Sequence, residues 1–222
     1  MPLEIDDLLS ASQPELITLY AQVFAGPDWF EVAKCRACGR AYPGPVETRA
    51  ADTYAAGDVC WNAECALPLE LISFYEDPVD RLGERILQAA TQTTGFLGQV
   101  AKESSGELVG FSWGYTIPTD DTPSVRFSQV RDLLIGSGVD PNTSFYAAET
   151  GVVPKHQRTG VGRTLVEKRL EAARRAGHRR AVFRTIDRKR LVALYESLFP
   201  AVVELFPDPD PAKSQSWYVV DL

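Results

Sequence analysis

The run Val152-Val153-Pro154-Lys155-His156-Gln157-Arg158-Thr159-Gly160-Val161-Gly162-Arg163 places an apolar, strand-like stretch directly before a glycine-punctuated turn, and that turn opens into a strongly helical segment. This part of the chain is thereby committed to a strand–turn–helix unit. A turn of this kind aims several backbone N–H groups, and the positive end of the helix dipole, at one spot beyond the strand. That spot suits a phosphate, so the run predicts a nucleotide-like ligand.

The chain has 222 residues, enough to bury a core as one domain carrying a small insert. A net charge of −7 argues against non-specific nucleic-acid binding as the main task and leaves room for neutral or cationic substrates. Met1 to Leu9 lacks the basic and apolar regions of a signal peptide, and no apolar run approaches the roughly 20 residues needed to span a bilayer. The expectation is a cytoplasmic protein with no membrane and no nucleic-acid partner, either a monomer or a homodimer.

Apolar periodicity predicts a helix over Gln13–Ala25, started by Ser12, Pro14 and Glu15. A second begins at Asp77-Pro78 with Val79, Leu82, Ile86, Leu87 and Ala90 on one face. Gly95–Lys102 and Leu108–Tyr115 read as a hairpin turning through Glu103–Glu107. A long connection, 117–144, carries a short helix with Phe127, Val130, Leu133 and Leu134. Phe145–Val153 is the strand before the glycine turn. The helix from Gly160 to Ala176 has Leu165, Val166, Leu170 and Ala173 as its buried stripe, with Arg163, Lys168, Arg169 and Arg174 on wetter faces. After the Gly177 cap come a strand at Ala181–Thr185, a helix at Arg188–Leu198 and strands at Ala201–Phe206 and Ser216–Leu222.

All four cysteines, Cys35, Cys38, Cys60 and Cys65, fall within residues 34–68, a segment rich in glycine and proline and without sustained periodicity. Four thiolates suit tetrahedral zinc, and Cys35-Arg36-Ala37-Cys38-Gly39 resembles a zinc knuckle. The second pair, Cys60-x4-Cys65, departs from the usual C-x-x-C. Structural zinc, a redox or disulfide pairing and unliganded thiols are the readings open to this spacing. A segment poor in aliphatics needs a cross-link, which favours zinc; a four-cysteine shell leaves no open position for catalysis.

The pattern Val152-x-Pro154-x-x-Gln157-x-x-Gly160-x-Gly162 resembles the acyl-CoA signature of the GNAT acetyltransferase superfamily. The resemblance runs from about Gln13 to Leu222, omitting the cysteine insert and the 117–144 connection. It implies a single α/β (α+β) domain over 1–222 with a mixed, mostly antiparallel, splayed sheet flanked by helices. It also implies acetyl-CoA as co-substrate. The pyrophosphate would lie against Gln157, Arg158, Thr159, Gly160, Val161, Gly162 and Arg163, and the pantetheine amides against Val152 and Val153.

Leu194-Tyr195-Glu196-Ser197-Leu198-Phe199 resembles the family's L-Y-E-K-L-G-F segment, whose tyrosine protonates the departing thiolate. By that match Tyr195 is the general acid, or else a member of its helix's apolar stripe. Glu149 stands where many members carry an acidic residue, and is either the base for the attacking amine or an edge carboxylate paired with a surface cation. His156 and His178 read as solvated or structural. Two departures stand out: Arg188 where members often carry Asn, and Leu198-Phe199-Pro200 where a Gly usually precedes the Phe.

The implied reaction is acetyl transfer to a primary amine by direct attack, with the oxyanion held by backbone N–H groups near Val152. The alternative is an acyl-CoA-binding or zinc-scaffolded interaction module without turnover. The insert, with Trp29, Phe30 and Trp61, and the 117–144 connection are expected to wall the acceptor cleft. Asp120, Asp121 and Asp132 either favour a cationic acceptor or form a solvated acidic loop.

Overall fold

The computed structural model describes residues 3–24, 31–38, 41–43, 59–60, 64–65, 67–68, 71–73, 86, 89–118, 125–185, 190–209 and 215–222. Among the described residues, ten strands divide between two sheets. The large one contains β1 (Glu4–Asp7), β5 (Leu97–Lys102), β6 (Leu108–Thr116), β7 (Ser144–Val152), β8 (Arg180–Thr185), β9 (Val203–Pro207) and β10 (Ser216–Asp221), ordered β1-β5-β6-β7-β8-β10-β9. All its pairings are antiparallel except β7 with β8. This is the mixed, mostly antiparallel sheet expected. The small sheet is β3 (Ala41–Pro43), β2 (Glu31–Cys35) and β4 (Leu71–Ser73), in that order.

Helix α1 (Gln13–Phe24) starts as its sequence predicts. The Ser12 N–H and hydroxyl both donate to Glu15 Oε2, at 2.9 and 2.6 Å, and the Glu15 N–H donates back to Ser12 Oγ at 3.4 Å. This reciprocal box satisfies backbone donors that a helix start leaves orphaned. Its residues Leu16, Leu19, Tyr20 and Val23 are buried. The helix expected from Asp77 is described only at its end, where residues 89–92 are helical and Ile86 and Ala89 join the core; Val79, Leu82 and Leu87 lie outside the described residues.

Strand β1 is absent from the sequence reading because Glu-Ile-Asp-Asp has one apolar residue and no period. It forms by pairing with β5, and Lys102 Nζ reaches Asp6 Oδ2 at 2.6 Å. The 117–144 connection carries a full helix, α2 (Val125–Gly136), longer than expected. Phe127, Val130 and Leu134 are buried, but Leu133 is 44% exposed, because it follows Val130 on the flank rather than the inner stripe.

Successive residues of the central strands alternate between two apolar clusters. Tyr146, Val182, Trp217 and Val219 join residues of α1 and α2 in one; Phe145, Ala147, Ala181, Phe183, Tyr218 and Val220 form the other with Val166, Leu170 and Ala173 of α3 (Val161–Arg175) and Tyr195 of α4 (Leu191–Glu196). This is the period of two that a sheet covered on both faces requires. Strand β6 adds a size alternation, with Gly110, Ser112 and Gly114 interleaved with Phe111, Trp113 and Tyr115. The small set lets α3 come close. A Cβ on Gly110 would lie 3.0 Å from Leu165 Cδ1, and Ser112 Oγ donates to the Leu165 carbonyl at 3.4 Å.

Candidate functional site

Strands β7 and β8 pair only over Ser144↔Arg180, Phe145↔Ala181 and Tyr146↔Val182. Beyond Tyr146, β7 continues to Val152 along β6, whereas β8 continues to Thr185 along β10. The Arg184–Asp208 ion pair at 2.7 Å, nearly buried, helps hold β8 on its own side. The sheet therefore opens as a V, and no described strand pairs with Ala147–Val152 along the edge facing β8.

A bulge reinforces this opening. Trp113 pairs with Glu149 and Gly114 with Ala147, which leaves Ala148 as the extra residue of β7. Glu149 stands beside the bulge, and its Oε2 accepts from Trp113 Nε1 at 3.1 Å. The carboxylate expected to serve as base thus accepts a hydrogen bond from an indole.

At the open end of β7 the chain makes the turn that the glycines foretell. The Val153 N–H donates to the Val109 carbonyl at 3.0 Å, and the Val153 carbonyl accepts from the His156 N–H at 2.9 Å. Both backbone groups of Val153 are therefore engaged within the protein. Gln157 Nε2 reaches back to the Val152 carbonyl at 3.3 Å, closing the loop on itself. Thr159 Oγ1 donates to the His156 carbonyl at 2.6 Å.

Arg158 has φ 61° and Gly160 has φ 94°, so the loop passes twice through the left-handed region before α3 starts. Gly160 caps α3 without a side chain, and the first intrahelical bond is Thr164 N–H to the Gly160 carbonyl at 3.0 Å. The N–H groups of Val161, Gly162 and Arg163 are the ones a helix start leaves without an intrahelical acceptor. Of the loop's cations, Arg158 is exposed, while Arg163 Nε lies 2.9 Å from Glu167 Oε1 along the helix.

The two histidines are structural, as expected. His156 Nε2 sits 2.8 Å from Glu103 Oε1, fastening the loop to the β5–β6 turn. His178 is buried beside Phe145, with Thr116 Oγ1 3.3 Å from its Nε2.

Tyr195 of α4 is 1% exposed, and its ring stacks on Phe183 of β8 at 3.9 Å between centroids. Its hydroxyl accepts from Arg169 Nη2 at 3.1 Å. Burial pushes the phenol above the ordinary tyrosine range, and the Arg169 guanidinium acts against that rise. The side chain therefore enters neutral pH fully protonated.

Arg169 corrects the sequence reading, which set it on a wet face of α3. It is 1% exposed. Its Nη1 donates to the Trp113 carbonyl at 3.0 Å and the Glu149 carbonyl at 2.7 Å, both at the bulge. Position 169 lies three and four residues after Val166 and Leu165, so helical geometry turns it toward the sheet whatever its charge. The signal was present in the spacing, and the arginine's chemistry masked it.

The cysteines converge. The Sγ atoms of Cys35, Cys38, Cys60 and Cys65 all lie within 4.8 Å of one another, with Cys38 and Cys60 3.6 Å apart, and none is disulfide-bonded. Each pair sits on a turn. Residues 36–38 turn at the end of β2, while Cys60 N–H donates to the Leu67 carbonyl at 3.0 Å across a bridge of Val59 with Pro68. Tetrahedral zinc with Zn–S bonds of about 2.3 Å separates its sulfurs by about 3.8 Å, so the donor set fits such an ion with little adjustment. At Cys65 a hydrogen bond from the Leu67 backbone favours the thiolate, but burial and the neighbouring thiols together push the group up to about 11. Trp29, Phe30, Trp61, Asp120, Asp121 and Arg188 lie outside the described residues.

A model of the acetyltransferase (GNAT) family matches residues 63–199. The nonribosomal peptide synthetase AMT10 of Alternaria alternata is 29% identical over 121 residues, which span 54% of this chain and 13% of that protein. Among solved structures, the PaiA N-acetyltransferase of Thermoplasma acidophilum in complex with coenzyme A aligns over 100% of both chains with a TM-score of 0.54 at 12% identity. The ribosomal-protein-S18-alanine N-acetyltransferase of Escherichia coli aligns over 99% of this chain and 94% of its own, with a TM-score of 0.51 at 13% identity. These likenesses are of fold. Among the described residues no helix is long and apolar enough to cross a membrane.

Proposed function

Because this chain belongs to the acetyltransferase (GNAT) family, we propose that it moves an acetyl group from acetyl-CoA to a primary amine by direct attack. The observation that carries the reading is the parting of β7 from β8 after Tyr146, with Glu149 on the diverging strand and the Tyr195 hydroxyl linked to it through Arg169.

The diphosphate lies on the N–H groups that open α3, with Gln157, Arg158, Thr159, Gly160, Val161, Gly162 and Arg163 around it. Pantetheine runs along the unpaired edge of Ala147–Val152, which takes over the share of the amide contacts that sequence assigned to Val153. Val152 remains the nearest loop-side member of that edge.

The neutral amine attacks the thioester carbonyl, forming the C–N bond. Glu149, directly or through water, takes the proton that nitrogen sheds. As the C–S bond breaks, Tyr195 gives its O–H proton to the sulfur, and the phenolate is reprotonated from solvent while Glu149 releases its proton. Atoms and charge balance to amide plus free CoA.

Cys35, Cys38, Cys60 and Cys65 would hold one structural zinc. The ion would supply a cross-link between two turns of the small sheet and take no part in acyl transfer.

The test is a thiol-release assay with acetyl-CoA against a panel of small amines, amino acids and peptide N-termini, with Tyr195→Phe in parallel. The expected result is CoA release with at least one amine and a loss in kcat of about 10²-fold or more in the variant. If acetyl-CoA raises the melting temperature, yet no amine releases CoA and Tyr195→Phe changes nothing, the protein is a binding module.

A further inference from the structure

We infer that Arg169 is a positioning residue that sets both proton-transfer groups of the acetyltransferase site from one buried guanidinium, a role that rests on the function proposed above. Through Nη1 it holds the carbonyls of Trp113 and Glu149, the residues that flank the bulge, and through Nη2 it holds the Tyr195 hydroxyl.

The chemistry of the three contacts carries the inference. A guanidinium has donors only. The Tyr195 oxygen must therefore meet Arg169 with a lone pair, which leaves the O–H hydrogen directed away from the guanidinium. A phenol whose hydrogen faced a carbonyl would be a poorer donor to sulfur. The same cation also stabilises the phenolate that remains when the proton has gone, at a side chain only 1% exposed.

The arrangement is rigid because the other end of the guanidinium is fixed. Trp113 and Glu149 are the paired residues where the register shifts at Ala148, and Nη1 bridges their two carbonyls. Glu149 is thus held by the same group that orients the acid. Arg169 Nε is itself buried with no hydrogen-bond partner among the described residues. A buried guanidinium bonded to two carbonyls and a phenol is a costly choice for a position whose neighbours on the stripe are Leu165, Val166, Leu170 and Ala173.

The experiment is a double-mutant cycle with Arg169→Met and Tyr195→Phe, plus Arg169→Lys as the conservative variant, with melting temperature and acetyl-CoA affinity as folding controls. Arg169→Met is expected to lower kcat at least tenfold while KM for acetyl-CoA stays within threefold, and Arg169→Lys to recover part of that loss. In the Tyr195→Phe background, Arg169→Met should cost less than threefold further. Equal losses in both backgrounds would show an effect on packing alone and overturn the role.

A readout independent of turnover is the ¹³Cζ resonance of Tyr195, assigned by its loss in Tyr195→Phe. It should titrate at higher pH in Arg169→Met and return toward wild type in Arg169→Lys; an unchanged titration overturns the inference. If instead Tyr195→Phe is as active as wild type, the assignment of the acid is what fails, and the resonance still decides whether Arg169 governs the phenol.

Discussion

Two glycines of the turn before α3 are predicted to respond to alanine with opposite signs. Gly160 has φ 94° and ψ −9°, and a Cβ there would meet nothing within 4 Å. The cost of Gly160→Ala is therefore one of backbone conformation alone, about 1–2 kcal/mol for an L-residue in the left-handed region. Gly162 is helical, and its Cβ would sit 3.5 Å from Val152 Cγ2, an ordinary contact. There alanine gains about 0.5–1 kcal/mol of helix stability.

For a domain of this size 1 kcal/mol moves the melting temperature by about 2–4 °C. Gly160→Ala should thus lower it by roughly 2–8 °C and Gly162→Ala raise it by roughly 1–4 °C. The ligand arm separates fold from function. Relaxing φ at residue 160 swings the N–H groups of the first helical turn, and losing one charge-assisted hydrogen bond to a diphosphate costs about 1.5–3 kcal/mol. That is roughly a 10- to 100-fold rise in acetyl-CoA Kd, against less than about threefold for Gly162→Ala. Differential scanning fluorimetry and titration calorimetry read both arms. The reasoning is refuted if Gly160→Ala binds acetyl-CoA as tightly as wild type, or if Gly162→Ala is the less stable of the two.

Two further outcomes are expected. Protein purified without chelator should carry about one zinc per chain, and Cys38→Ser should lose it together with a separate low-temperature melting step. Strands of five, three and three residues are too short to hold a sheet unaided; well under one zinc per chain would sink the metal reading. Burial holds the His178 imidazole below its ordinary range, against the opposing pull of its bond with the Thr143 backbone. The folded state therefore binds that proton less readily than the unfolded state, and the stability involved is present above the ordinary value, 6.5, and lost as pH falls through and below it. The gap in melting temperature between wild type and His178→Gln should be widest above pH 7 and shrink toward pH 5. A gap that does not vary with pH would contradict this.

Much of the fold was legible because its signals are local. Ser12 and Glu15 form the cap their spacing announces, the β5–β6 hairpin turns where Gly106 allows φ 87°, and the stripe on α3 follows its period. Strand β1 was not legible, since Glu4–Asp7 carries no pattern of its own and becomes a strand only against β5. The small sheet was hidden for a similar reason: β2 and β4 lie on either side of the cysteine turns and pair with each other. Arg169 was misplaced, because residue type was weighed above the angle at which the helix presents that position.

By itself the sequence determined the shape of the loop to which the diphosphate is proposed to bind, because Val152-x-Pro154, Gln157 and Gly160 specify one turn through steric limits on φ and through contacts a few residues apart. It also confined the cysteines to one short segment, but their convergence to within 4.8 Å of one another is a finding of the tertiary structure. Tertiary structure alone decided that β7 parts from β8 after Tyr146, and that Trp113, Glu149, Arg169 and Tyr195 meet around one guanidinium. Those contacts join residues 20 to 56 positions apart, and they arise from strand pairing and helix packing, which no local preference encodes.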